Sequence, residues 1–200
     1  MEFEVGADVR CTDGSAGKVA ALIADPVARA LAHIAVEPEH HPGDARLVPV
    51  GLVGAASPAS VELRCSLAEL ARLPEFRDIE FVPYVPDYGD LGASLAWPYY
   101  SMAERQLPVI VDRVPPGEVE IRRHEQVHAA DGAIGRVEGL VVDGEGRITH
   151  VLLQEGHFWG RKEVSIPIGS VDKIDADGIH VRLSKQEIED LPELGVSPPS

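Results

Sequence analysis

Apolar and polar residues alternate in short runs through most of this chain, and turn-forming residues separate the runs. Val9 and Cys11 flank Arg10, which predicts a strand ending at the turn signal Asp13-Gly14. Gly17 to Ile23 reads as a second strand, broken by Asp25-Pro26, and His33 to Val36 as a third. Glu37 to Asp44 is polar and holds Pro38, Pro42 and Gly43, so it is expected as a loop. Leu47 to Val53 follows as a strand pair interrupted at Pro49 and Gly51, and Val61 to Cys65 alternates strictly. Ser66-Leu67-Ala68-Glu69 is a capping box: the Ser hydroxyl accepts from the Glu amide and the carboxylate reaches back. Leu67, Leu70 and Leu73 share roughly one face of the short helix it starts, and Pro74 ends that helix.

The same order then recurs. Val127 and Ala129 precede the turn Asp131-Gly132, and Arg136 to Val142 forms a strand. Asp143-Gly144-Glu145-Gly146 is a hairpin turn into the strand Ile148 to Gln154. A loop from Glu155 to Lys162 leads to the strand Glu163 to Ile168, which carries Pro167. Val171 to Ile174 and Ile179 to Leu183 flank the turn Asp175-Ala176-Asp177-Gly178. Ser184-Lys185-Gln186-Glu187 is a second capping box, ended at Pro192.

The recurrence has a fixed offset of 118 residues. It relates Asp13-Gly14-Ser15-Ala16-Gly17-Lys18-Val19 to Asp131-Gly132-Ala133-Ile134-Gly135-Arg136-Val137, Pro49 to Pro167, and Leu73-Pro74-Glu75 to Leu191-Pro192-Glu193. One offset held across separated islands means a duplicated unit. Each unit offers about six short strands closed by a short helix, which predicts a mainly all-β protein of two small tandem β-barrels. The expected divisions are 1–76, a connector 77–117, a second unit 118–195 and a tail 196–200. Alternation at Val119 and Ile121 suggests that the second unit starts at Glu118.

The connector holds six of the ten aromatic residues and six prolines, too apolar a composition for a solvated tether. It is expected to pack on the barrels or across a subunit interface, which leaves a homodimer open. Leu107 to Val111 reads as an edge strand, where Pro108 is tolerated.

These islands resemble the PRC-barrel domain, the module found in the H subunit of photosynthetic reaction centres and at the C-terminus of a ribosome maturation factor. The matching features are the Asp-Gly-x-x-Gly-x-Val turn into a strand, the Asp143-Gly144 turn, the strand Ile148-Thr149-His150-Val151-Leu152-Leu153, the strand Ile166-Pro167-Ile168, and the closing strand and helix with Leu-Pro. The second copy matches better; the first departs at Asp25-Pro26-Val27-Ala28, where the turn lacks glycine. The resemblance implies a compact barrel that holds protein partners or assemblies, with a structural rather than catalytic motif.

Charge narrows the partners. The chain has 18 Lys and Arg against 33 Asp and Glu, a net charge of −15, and the excess is acidic in every segment. A phosphate backbone or anionic membrane would be repelled, so direct nucleic-acid binding is not expected. No apolar run approaches the roughly 20 residues of a membrane helix, and the N-terminus lacks signal-peptide features. A cytoplasmic protein without membrane insertion is the expectation. Cys11 and Cys65 match Ala129 and Leu183, so both are expected in the core.

Candidate chemistry is sparse. His33, Glu37, Glu39, His40 and His41 cluster locally, but on a Pro- and Gly-bounded loop, which favours solvation over a zinc site. His33 and His150 recur at offset 117 and are expected as structural, hydrogen-bonded histidines. Asp175 and Asp177 resemble half a calcium loop without its closing Glu, so the turn reading prevails. Phosphate-cradling glycine motifs are absent. Neither metal nor cofactor is expected, and no catalytic residues are assigned.

The candidate contact surface is the loop carrying Gln154, His157, Phe158, Trp159 and Arg161, since Trp and Arg are favoured interface anchors. The expected function is a non-enzymatic protein-binding or assembly module. One alternative is a small-ligand or metal sensor with a pocket between the barrels. Another is an accessory factor like the ribosome maturation protein, which would have to bind a basic protein.

Overall fold

A computed structural model describes residues 1–39, 43–83, 106–123, 125–155, 162–175 and 178–191, with backbone alone for 78–83, 106–110, 155 and 162–163. The fold is mainly β. In the first half, β1 (Glu2–Glu4), β2 (Asp8–Cys11), β3 (Gly14–Asp25), β4 (Ala30–Glu37), β5 (Arg46–Pro49), β6 (Val53–Ala56) and β7 (Ser60–Leu63) precede the helix α1 (Leu67–Leu70). Then come β8 (Arg77–Pro83), β9 (Gln106–Asp112) and β10 (Val119–Arg122). The second half has β11 (Gln126–Ala129), β12 (Gly132–Val142), β13 (Ile148–Glu155), β14 (Lys162–Pro167), β15 (Val171–Asp175), β16 (Gly178–Val181) and α2 (Lys185–Glu189).

The two sheets repeat one another strand for strand. The first runs β5-β4-β3-β2-β7-β6 and the second β14-β13-β12-β11-β16-β15. In each, the outermost strands are consecutive in the chain, joined by a single 3-10 turn, Val50–Leu52 or Ile168–Ser170, directly after a proline. The sheet therefore curls back on itself at that corner, although among the described residues no hydrogen-bonded ladder joins its two ends. β8 and β9 stand apart as a two-stranded ribbon, with Arg77 opposite Asp112. Leu107 to Val111 thus lies in a ribbon with 77–83 rather than at the edge of a barrel.

The duplicated motif has a structural explanation. The carboxylate of Asp13 accepts the amide of Leu67 at 2.8 Å, and that of Asp131 accepts the amide of Lys185 at 3.0 Å. Each aspartate thereby ties the first hairpin of its unit to the first turn of the closing helix. Both capping boxes form, Ser66 with Glu69 and Ser184 with Glu187. Those serine donors hold both glutamate carboxyls below the usual carboxylate range. The second glycine is fixed by crowding: a Cβ on Gly17 would lie 2.0 Å from the Glu37 carbonyl oxygen, on a backbone with φ of 123°.

The halves are not two beads on a string. β1 leaves its own unit and pairs with β12, placing Phe3 opposite Leu140, and β10 pairs with β3, placing Ile121 opposite Leu22. Both registers are related by the same 118-residue offset, so the exchange is reciprocal. Glu118 to Arg122, read in sequence as the start of the second unit, completes the sheet of the first. Phe3 and Ile121 are fully buried, and one continuous aliphatic core runs through both units around them.

Candidate functional site

Polar interactions bridge the seam between the halves. At its centre the β3–β4 and β12–β13 turns clasp each other. Leu31 donates its amide to the Gly146 carbonyl at 2.9 Å, and Ile148 donates to the Arg29 carbonyl at 2.8 Å. These bonds exchange under the repeat, as expected of an isologous, two-fold-like contact. Arg29 occupies the left-handed position (φ 52°) that Gly146 (φ 81°) fills in the second turn. Its guanidinium donates to the carbonyl oxygens of Ile168 at 3.4 Å and Val171 at 3.3 Å. The missing glycine in the first turn thus corresponds to a side chain that reaches the other unit. The Asp25 carboxylate caps that turn by accepting the amides of Val27 and Ala28, and Asp143 does the same for Glu145 and Arg147.

His33 also bridges the halves, with Nδ1 3.0 Å from Oε2 of Glu118 at the entrance to β10. His150 pairs instead with the Thr149 hydroxyl at 3.1 Å. Both histidines are partly buried and hydrogen-bonded, as expected of structural residues.

Around β10 lies a band of charged groups. Glu37 binds Arg77 at 2.6 Å, and Arg77 binds Asp112 at 3.1 Å. Asp112 pairs in turn with Arg122, which also binds Glu120 at 2.7 Å. Glu120, with support from the Asp112 and Glu125 charges, pushes the Arg122 guanidinium further toward its charged form. Glu125 accepts the Arg122 amide at 3.1 Å, yet burial and the nearby charges of Glu120 and Asp175 push its carboxyl up. Asp175 is paired with Lys173 and lies 3.6 Å from Nε2 of His180. The His180 ring stacks on that of His128, with centroids 4.9 Å apart and planes inclined by 15°.

Of the loop proposed from sequence, Gln154 lies in β13, opposite Arg136 on one side and Glu163 on the other. His157, Phe158, Trp159 and Arg161 lie outside the described residues, as do His40, His41 and Asp177. Among the described residues, no three His, Cys, Asp or Glu side chains form a ready-made metal-ligand set. The His128–His180 pair was missed in sequence because the two lie 52 residues apart, and only the parallel pairing of β11 with β16 joins them. The offset offered a clue: their counterparts Arg10 and Glu62 are also directly opposed.

Cys11 and Cys65 are both buried and unbridged. Burial, together with the neighbouring Cys65 thiol, pushes Cys11 up to about 12. Thr12 secures this corner by donating its amide to the Cys65 carbonyl at 3.1 Å and its hydroxyl to the same oxygen at 3.3 Å. A shallow, open depression lies beside it, lined by Asp8, Arg10, Cys11, Gly14, Ser15 and Glu39.

Each half is thus a curled, mainly β module that ends in a capped helix. Residues 126–188 match the PRC-barrel domain family. The first half repeats their strand order and registers around the same residues. No curated protein matches the chain. Among the described residues, no helix is long and apolar enough to cross a membrane.

Proposed function

We propose that this chain is a non-enzymatic protein-binding or assembly module, in which two PRC-type units are welded into one scaffold. The observation that carries this reading is the reciprocal exchange of β1 and β10. Added strands recognise through backbone hydrogen bonds and one anchored side chain, which is a general mode of protein–protein association. Here the mode is spent on the chain itself, fixing two modules in one orientation. A rigid bipartite body presents two related surfaces to a partner at constant spacing, which favours simultaneous engagement. The contact surface is assigned to the 154–162 loop on the chemistry of its Trp and Arg residues. The acidic surface favours a basic protein as partner.

Affinity capture with the full chain and with Trp159→Ala tests this. Stoichiometric partners held by the wild type and lost by the variant are the expected result. Partners that bind both forms equally would remove the loop from the reading. A substrate turned over by the purified chain would overturn the non-enzymatic assignment.

A further inference from the structure

We propose that His128 and His180 form a binding site for a divalent transition-metal ion on the surface of the second unit. β11 and β16 run parallel with these residues as Cα partners, so both side chains leave the same face of two hydrogen-bonded strands. Their rings are already side by side, 4.9 Å between centroids. Imidazole nitrogens bind such ions at about 2.0–2.1 Å, so two of them in a tetrahedral shell sit about 3.3 Å apart. The proposal requires only that the rings turn about their own side-chain torsions to reach that separation.

Asp175 supplies the orienting group. Its carboxylate lies 3.6 Å from Nε2 of His180, so a metal bound at Nδ1 would leave that edge of the ring to the carboxylate. A carboxylate behind a ligating histidine is the usual supporting arrangement. The same carboxylate carries an ion pair with Lys173, and Glu120, Arg122 and Glu125 belong to the same charged band. The chain's net charge of −15 favours cations over anions as ligands in general. Two nitrogens and water suit Cu²⁺, Ni²⁺ or Zn²⁺, in the order Cu²⁺ tightest, and not the oxygen-seeking Mg²⁺ or Ca²⁺. The site is confined to the second unit, because the first has Arg10 and Glu62 at the matching positions.

The duplication supplies the control. In the full chain, freed of metal with a chelator, Ni²⁺ or Zn²⁺ is added while histidine ring signals and melting are followed. The rings of His128 and His180 are expected to respond first and together, with micromolar affinity. Metal at about a hundredfold above Kd should raise the melting temperature by on the order of 5 °C. His128→Arg combined with His180→Glu, the pair used by the first unit, should fold normally and lose both responses. Asp175→Asn should bind about tenfold more weakly, and His40→Ala with His41→Ala should change nothing at this site. Equal metal uptake by the double variant, an unmoved pair of rings, or the same response to Mg²⁺ would each overturn the proposal.

Discussion

The two halves share a backbone plan but finish the outside of their sheets differently. In the first, Ala21, Ile23, Ala35, Ala45 and Leu47 form an apolar outer layer sealed by Phe76, which is fully buried. In the second, the corresponding registers bring together Gly139, Leu152 and Ser165. Ser165 is buried, and its hydroxyl has no hydrogen-bond partner among the described residues. Gly139 has no side chain because the Phe3 carbonyl oxygen lies 2.1 Å from where its Cβ would be. Ala21 tolerates its methyl beside Arg122. The inner core is therefore what the repeat preserves, while the outer face and the strand docked on it are free to diverge.

The exchange is the part of this comparison most open to attack. Phe3→Ala removes a fully buried ring, which costs about 3–5 kcal/mol, and Ile121→Ala costs about 2–5 kcal/mol. Because each side chain serves the other half, Phe3→Ala should raise amide exchange along β12 more than along β3, and Ile121→Ala the reverse. Loss of protection confined to the half that carries the mutation would break the picture.

Next in size is Gly139→Ala, where backbone must move to admit a methyl; overpacking of this kind costs about 1–3 kcal/mol. Its mirror, Ala21→Gly, should lose about 1 kcal/mol through backbone freedom and the missing methyl. Urea midpoints would rank the two, and an equal loss at both sites would deny the asymmetry. Third, the thiol corner distinguishes the halves by pH. The folded state holds Cys11 protonated up to about 12, whereas the unfolded thiol ionises near 8.5. The unfolded chain therefore binds fewer protons between those values, and stability falls as pH rises through that window. The slope is at most about 1.4 kcal/mol per pH unit. Denaturation at pH 7 and 10.5 should show this loss, and Cys11→Ala with Cys65→Leu, the second unit's pair, should flatten it. Smallest is Ser165→Ala, which removes a buried, unpartnered hydroxyl and should stabilise by about 1 kcal/mol. A destabilisation there would mean that the hydroxyl is bonded after all.

Much of each unit was legible because its devices are local. Asp-Gly turns, the prolines before the 3-10 corners and the two capping boxes act within a few residues, and the fixed offset doubled each signal. The exchange was not legible. Alternation at Val119 and Ile121 shows a strand with one buried face, but it does not say whose sheet the strand joins. That choice depends on which edge is vacant after a long connector, a non-local fact. The same limit hid the His128–His180 pair, while the two thiols, each matched to an apolar residue in the other copy, were placed in the core correctly.

One consequence concerns synthesis. The β3 edge that receives β10 is made long before β10 itself, because about 46 residues separate Phe76 from Arg122. At roughly 5–20 residues per second, that edge waits about 2–9 s for its partner. During this interval the nascent first module offers a bare edge with a vacant slot at Leu22, a ready template for any other extended chain nearby. The molecule is at greatest risk of joining the wrong neighbour while still attached to the ribosome.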